Sequence, residues 1–161
     1  MKHLLILLFV AACSAAPAVA PPSAPATALY PGETPQMRAL VVKYAARHDI
    51  PEALLHRVIQ RESDYRATAR NGPYYGLMQI LPETARGMGF TGAASDLLDA
   101  ETNLIYAGRY LRGAWIVSGG DIDAAVMHYA RGYYYDARDR CLLVETGLRD
   151  REVRRDCQGA Q

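Results

Sequence analysis

Glu62 is the residue whose chemical role the sequence places most definitely. Leu54, Leu55, Val58 and Ile59 precede it at helical spacing, and the same spacing carried three or four positions further lands on Glu62. Its carboxyl therefore points along an apolar stripe rather than straight into water. Burial penalises the charged form of a carboxylic acid, so such a group keeps its proton to higher pH than a free glutamate does. That is the condition for a general acid near neutral pH. The condition has a rival nearby: Arg57, Arg61 and Arg66 lie within a helical turn or so, and a guanidinium against Glu62 would pull its pKa back down.

No second carboxylate shares this setting. Asp64 is two positions on and faces away if the helix persists. Glu83 falls in the first turn of a helix, where the dipole favours a carboxylate, and Asp96 and Asp99 precede another helix as caps. Other chemistries lack their residues. His48, His56 and His128 have no metal-ligand spacing, and neither a His-Glu-x-x-His nor a Gly-x-Ser-x-Gly sequence occurs. With no glycine-rich phosphate loop and no Cys-His pair, no cofactor and no metal are expected.

The elements that must position Glu62 are helical. Met37 to His48 carries Leu40, Val41, Tyr44 and Ala45 on one side. Pro51 stands at the first turn of the helix that leads to Glu62, where its missing N–H costs nothing. Asn71-Gly72-Pro73 signals a turn, Tyr74 to Ile80 reads as a loop or a short extended piece, and Glu83 to Met88 as a short helix opened by Pro82. Asp99 reads as the N-cap of a helix reaching about Ile116, in which Gly108 permits a close helix crossing. Asp121 caps another, with Ile122, Ala125, Val126 and Tyr129 on one face and Gly132 ending it. Charges of both signs alternate after Asp136, including Arg149, Asp150, Arg151 and Glu152; this pattern is expected to be a solvated helical face.

The first residues look like an export signal: Lys2 and His3, then an apolar run from Leu4 to Val10 that is too short to span a bilayer. Val10-Ala11-Ala12-Cys13 resembles a bacterial lipobox, in which cleavage leaves Cys13 as a lipid-bearing terminus. Cleavage after Ala18-Val19-Ala20 is the alternative, but it sets Pro21 behind the scissile bond. The expected division is a signal peptide over 1–12, an Ala/Pro-rich tether over 13–36 and one domain over 37–161. Ser14 suggests the periplasmic face of the outer membrane, with a soluble periplasmic or secreted protein as the alternative. The chain has three cysteines. With lipid on Cys13, Cys141 and Cys157 remain as a candidate disulfide in an oxidising compartment, the alternative being two free thiols. The formal net charge of +1 supplies no electrostatic footprint for nucleic acid.

Four blocks occur in a telling order: Arg61-Glu62-Ser63; Gly76-Leu77-Met78-Gln79-Ile80-Leu81-Pro82-Glu83-Thr84-Ala85; Thr102 to Leu111, with Asn103, Gly108, Tyr110 and Leu111 at their spacing; and His128-Tyr129-Ala130-Arg131-Gly132. The chain resembles the catalytic domain of the soluble-type (family 1) lytic transglycosylases over roughly residues 50–135. The resemblance implies a mainly α, lysozyme-like (goose-type-like) domain with little or no β-structure, acting on peptidoglycan glycan strands. It implies cleavage by one acid that then serves as base, and it carries that role to Glu62. The product is a 1,6-anhydro sugar. A hydrolytic muramidase of the same fold and a non-catalytic wall-binding lipoprotein are the alternatives.

The resemblance also places Gln79 against sugar amides or hydroxyls, with a structural glutamine as the other reading, and Met78 on the cleft floor or in the core. Gly76 answers to a close backbone approach or to a dihedral only glycine accepts. Tyr129 matches a tyrosine whose hydroxyl meets the catalytic acid, but Ala130 replaces the asparagine that usually follows. Of Tyr74, Tyr75, Tyr133, Tyr134 and Tyr135, Tyr75 is the first candidate for stacking on sugar rings. A monomer is expected, held to the membrane by its lipid alone, with envelope or secretion machinery as possible partners.

Overall fold

The structure is a computed structural model that describes residues 28–158. Cys13, the signal peptide and most of the tether lie outside the described residues. Six helices are named here: α1 Pro35–His48, α2 Glu52–Glu62, α3 Pro82–Gly87, α4 Ala100–Val117, α5 Ile122–Arg131 and α6 Tyr134–Asp139. Between α2 and α3 lies a small hairpin, β1 Arg70–Asn71 and β2 Tyr74–Tyr75, paired antiparallel with Arg70 opposite Tyr75. Two 3₁₀ turns, Ala94–Leu98 and Arg155–Cys157, complete the elements. The domain is mainly helical, as the sequence implied.

Capping chemistry sets the helix starts. Asp99 accepts a hydrogen bond from the Thr102 N–H, Asp121 from that of Ala124, and Thr34 from that of Met37. α5 stops at Gly132, whose φ of 84° breaks the helix. α4 forms the centre and packs against α1, α3 and α5. Its stripe of Leu104, Ala107, Leu111, Ala114 and Val117 is fully buried, as are Leu54, Leu55 and Ile59 of α2. At Gly108 the His48 ring crosses α4 so closely that an added Cβ would stand 2.5 Å from it, and His48 Nε2 donates to the Leu104 carbonyl at 2.9 Å. A glycine is what lets α1 and α4 meet there.

Two expectations change at the ends of the domain. Packed structure begins before Met37. The Glu33 side chain is wholly buried, takes Arg38 Nε and Nη2 at 2.6 Å each and accepts from the Tyr30 N–H at 2.9 Å. His56 and Tyr65 complete this cluster, joined by a 2.7 Å hydrogen bond. The Ala/Pro composition of the tether hides a carboxylate with local partners in Arg38 and Tyr30 and a further one, His56, on α2. The region after Asp136 is not one solvated helix. α6 ends at Asp139, turns follow, and Leu143, Thr146 and Glu152 are buried. Cys141 and Cys157 are disulfide-bonded, with Cα atoms 5.3 Å apart, and this link draws the charged segment back over the core.

Candidate active site

Glu62 is the last residue of α2. The chain then turns sharply, with Asp64 and Tyr65 both at positive φ (51° and 63°), and runs on to the hairpin. Ser63 ties the helix end to the next loop, its hydroxyl donating to the Leu77 carbonyl at 2.6 Å. That loop, Gly76 to Ile80, is a tight turn closed by Tyr75 and Ile80. Each of these two residues donates its N–H to the other's carbonyl, at 3.0 and 3.1 Å.

Asn103 holds the turn from beneath. Its Oδ1 accepts the Met78 N–H at 2.9 Å, and its Nδ2 donates to the carbonyls of Tyr75 and Leu97, also at 2.9 Å. Asn103 is fully buried, so the three bonds satisfy polar groups that no solvent reaches. Gly76, at φ 76°, lies so close to the Leu97 carbonyl and the Asn103 amide that no Cβ fits. Both of the reasons expected for a glycine apply at this position.

The result is an open groove of about 1050 Å³. Glu62, Gln79, Ile80, Leu81, Tyr110 and Tyr129 line it, together with Tyr74 and residues of the 66–71 segment. Among the described residues Glu62 is the only carboxylate in that lining; Asp64, Glu83, Asp96 and Asp99 are elsewhere. Its side chain is 24% exposed. Burial raises its pKa above the ordinary carboxylate value, and the Arg61 guanidinium, with Nε 3.6 Å from Oε1, opposes this with a smaller pull downward. The other two arginines are engaged away from Glu62: Arg57 pairs with Asp123, and Arg66 Nε donates to the Ser63 carbonyl at 3.0 Å. The threat to an acid role is therefore present but outweighed.

Residues 39–140 match the transglycosylase SLT domain. The chain belongs to this family. SLT domains act on the peptidoglycan of the cell envelope, a polymer that suits an open groove better than a closed pocket. Among the described residues, no helix of this SLT domain is long and apolar enough to cross a membrane.

The residues named from sequence do not all reach the groove. Gln79 does, at φ 49°, with Nε2 donating to the carbonyls of Gly76 (2.8 Å) and Ala69 (3.1 Å). One side chain therefore braces the loop and borders the groove, so the two readings of Gln79 are not exclusive. The Met78 side chain is fully buried in the core and does not form the groove floor. What Met78 presents to the site's framework is its carbonyl, which takes the Tyr129 hydroxyl proton at 2.8 Å. The Tyr129 hydroxyl thus gives its proton to the Met78 carbonyl and not to Glu62, although both residues border the groove. Burial, with the Glu62 charge as a lesser cause, holds its phenol well above the ordinary range. Gly76 stands behind the groove.

Tyr75 is half-buried under Arg70 and is absent from the groove wall; Tyr74, its neighbour on β2, takes that place. Adjacent strand residues face opposite ways, so a single step of register decides which tyrosine meets a ligand. Tyr133 is core, its hydroxyl donating to the Tyr110 carbonyl at 2.8 Å, while Tyr135 is exposed away from the groove. Sequence reasoning gave no role to Asn103, Tyr110, Arg70 or Arg131. Asn103, Tyr110 and Arg131 stood within the ordered motif blocks, and Asn103 left a further signal as an amide on an otherwise apolar helical stripe beside Leu104 and Ala107.

Proposed function

We propose that this domain is a lytic transglycosylase that cleaves the β-1,4 bond between N-acetylmuramic acid and N-acetylglucosamine without consuming water. Glu62 protonates the bridging oxygen, and the C1–O bond breaks. The resulting carboxylate takes the proton of the muramic acid's own C6 hydroxyl, whose oxygen attacks C1. The glycan then ends in a 1,6-anhydro ring, and Glu62 again holds a proton. The observation that carries this reading is a single half-buried carboxyl, with its pKa raised, in a groove whose lining has no other carboxylate. A two-carboxylate mechanism needs a base or nucleophile roughly 5 to 9.5 Å from the acid, and the lining supplies no such partner.

Mass spectrometry of digested peptidoglycan tests the proposal. Muropeptides ending in anhydromuramic acid support it, while products heavier by one water identify a muramidase. No products at all, with binding intact, identify a wall-binding protein, the reading that the Tyr129-Ala130 departure favours. We also propose Cys13 as the lipid-bearing residue. Radiolabelled fatty acid incorporated by the wild-type chain and lost in Cys13→Ser supports this; equal labelling refutes it.

A further inference from the structure

A groove for an uncharged sugar strand has no need of cations, yet this one is lined by four arginines, Arg61, Arg66, Arg70 and Arg131, against the single carboxylate of Glu62. The whole chain carries only +1, so the positive charge is gathered here. Two of the four are already engaged by carboxylates. Arg61 stands against Glu62, and Arg131 Nη2 lies 3.4 Å from Asp136 and 3.4 Å from His128 Nδ1. Arg66 and Arg70 are different. Arg66 is steadied by its Nε bond to the Ser63 carbonyl, and Arg70 lies over the Tyr75 ring at 4.7 Å. Neither has a carboxylate partner among the described residues. Each side chain is held at one point while its other guanidinium N–H groups stay available. Both sit on the chain that leaves Glu62 and runs into β1, and both line the groove.

We propose that Arg66 and Arg70 form a carboxylate-binding edge that selects glycan strands by the anionic substituents on muramic acid. The guanidinium fork matches a carboxylate's two oxygens, and a charge-assisted pair of this kind discriminates strongly against a neutral amide. The proposal rests on peptidoglycan being the ligand. Two sources offer the same chemistry: the lactyl carboxylate of muramic acid, free once the peptide is removed, and the carboxylates of the stem peptide.

The full chain and its R66Q/R70Q variant are compared on three substrates: peptide-bearing sacculi, strands stripped of peptide by an amidase, and stripped strands whose carboxylates have been converted to amides. Initial rates and co-sedimentation are both measured, with thermal melts confirming that the variant folds. The wild type is expected to favour charged over amidated strands by roughly tenfold to a hundredfold, and the double variant to bring that ratio close to one. Preference for stripped strands assigns the lactyl group; preference for sacculi assigns the stem peptide. Equal handling of all three substrates by the wild type, or a preference left unchanged in the variant, overturns the proposal. A chain that cuts nothing but still sediments only with charged strands keeps this inference and removes the enzymatic one.

Discussion

Glu62→Gln separates the two things this side chain does. Glutamine keeps the shape and one carbonyl oxygen but has no acidic proton. A positioned proton donor contributes about 10²- to 10⁴-fold to a rate, or about 3 to 5 kcal/mol of barrier, and the variant is expected to lose turnover on that scale. Stability moves the other way. The folded-state pKa of Glu62 is raised because burial outweighs Arg61, so over a window above the ordinary value of 4.5 the unfolded chain has released its proton while the folded chain has not. Rising pH through that window favours unfolding, by about 1.4 kcal/mol per pH unit at most. Glutamine escapes this cost. Near pH 3 the two proteins should melt alike, and at pH 7 the variant should melt at the same temperature or higher. The assays are clearing of a sacculus suspension, chromatography of released muropeptides, and thermal melts at both pH values. A variant that retains more than about a tenth of the wild-type rate refutes the acid role. A variant that melts lower at pH 7 but not at pH 3 refutes the claim that burial disfavours the Glu62 carboxylate.

Asn103→Ala orphans the Met78 N–H and strips the Asn103 amide from the Leu97 and Tyr75 carbonyls, the latter keeping its bond from the Ile80 N–H; a loss of about 3 kcal/mol in chemical denaturation is expected. Replacing Cys141 and Cys157 together with serine should cost about 3 kcal/mol by the loop-entropy argument, measured against the oxidised protein. The Glu33 cluster should make the fold acid-sensitive. Burial holds the His56 pKa below 6.5, and the Arg38 hydrogen bond holds Glu33 below 4.5, so stability present at neutral pH is lost as pH falls through each range. Arg38→Met should lower the melting temperature at pH 7 and flatten the decline below about pH 4.5, and an unchanged decline would exclude Glu33 as its source.

The placement of Glu62 and its supporting frame was legible because the signals are local. Periodicity brought Glu62 onto the stripe of Leu54, Leu55, Val58 and Ile59, and α2 does end there. Side-chain chemistry marked Asp99 and Asp121 as caps, and a missing Cβ marked Gly108 as a crossing point. The places where reading failed share a different cause. Tyr75 and Tyr74 differ by one position on a strand of two residues, too short for alternation to show. Met78 was placed by its motif, yet the turn that Asn103 grips sends the side chain into the core. Glu33 looked like part of a tether because what buries it, His56, lies on α2, 23 positions further on.

What the amino-acid order determined by itself is which carboxyl ends the apolar stripe and which helices present it, because helical spacing, caps and glycines act within a few residues of one another. What only tertiary structure decided is the groove. Asn103 reaches back 25 positions to the Met78 N–H, Tyr129 reaches back 51 to the Met78 carbonyl, and the arginines come from separate segments. Contacts at such separations leave no periodic trace in the chain. They are set when α4 and α5 pack beneath the Gly76 turn, and burial then decides both how Glu62 holds its proton and what surrounds it.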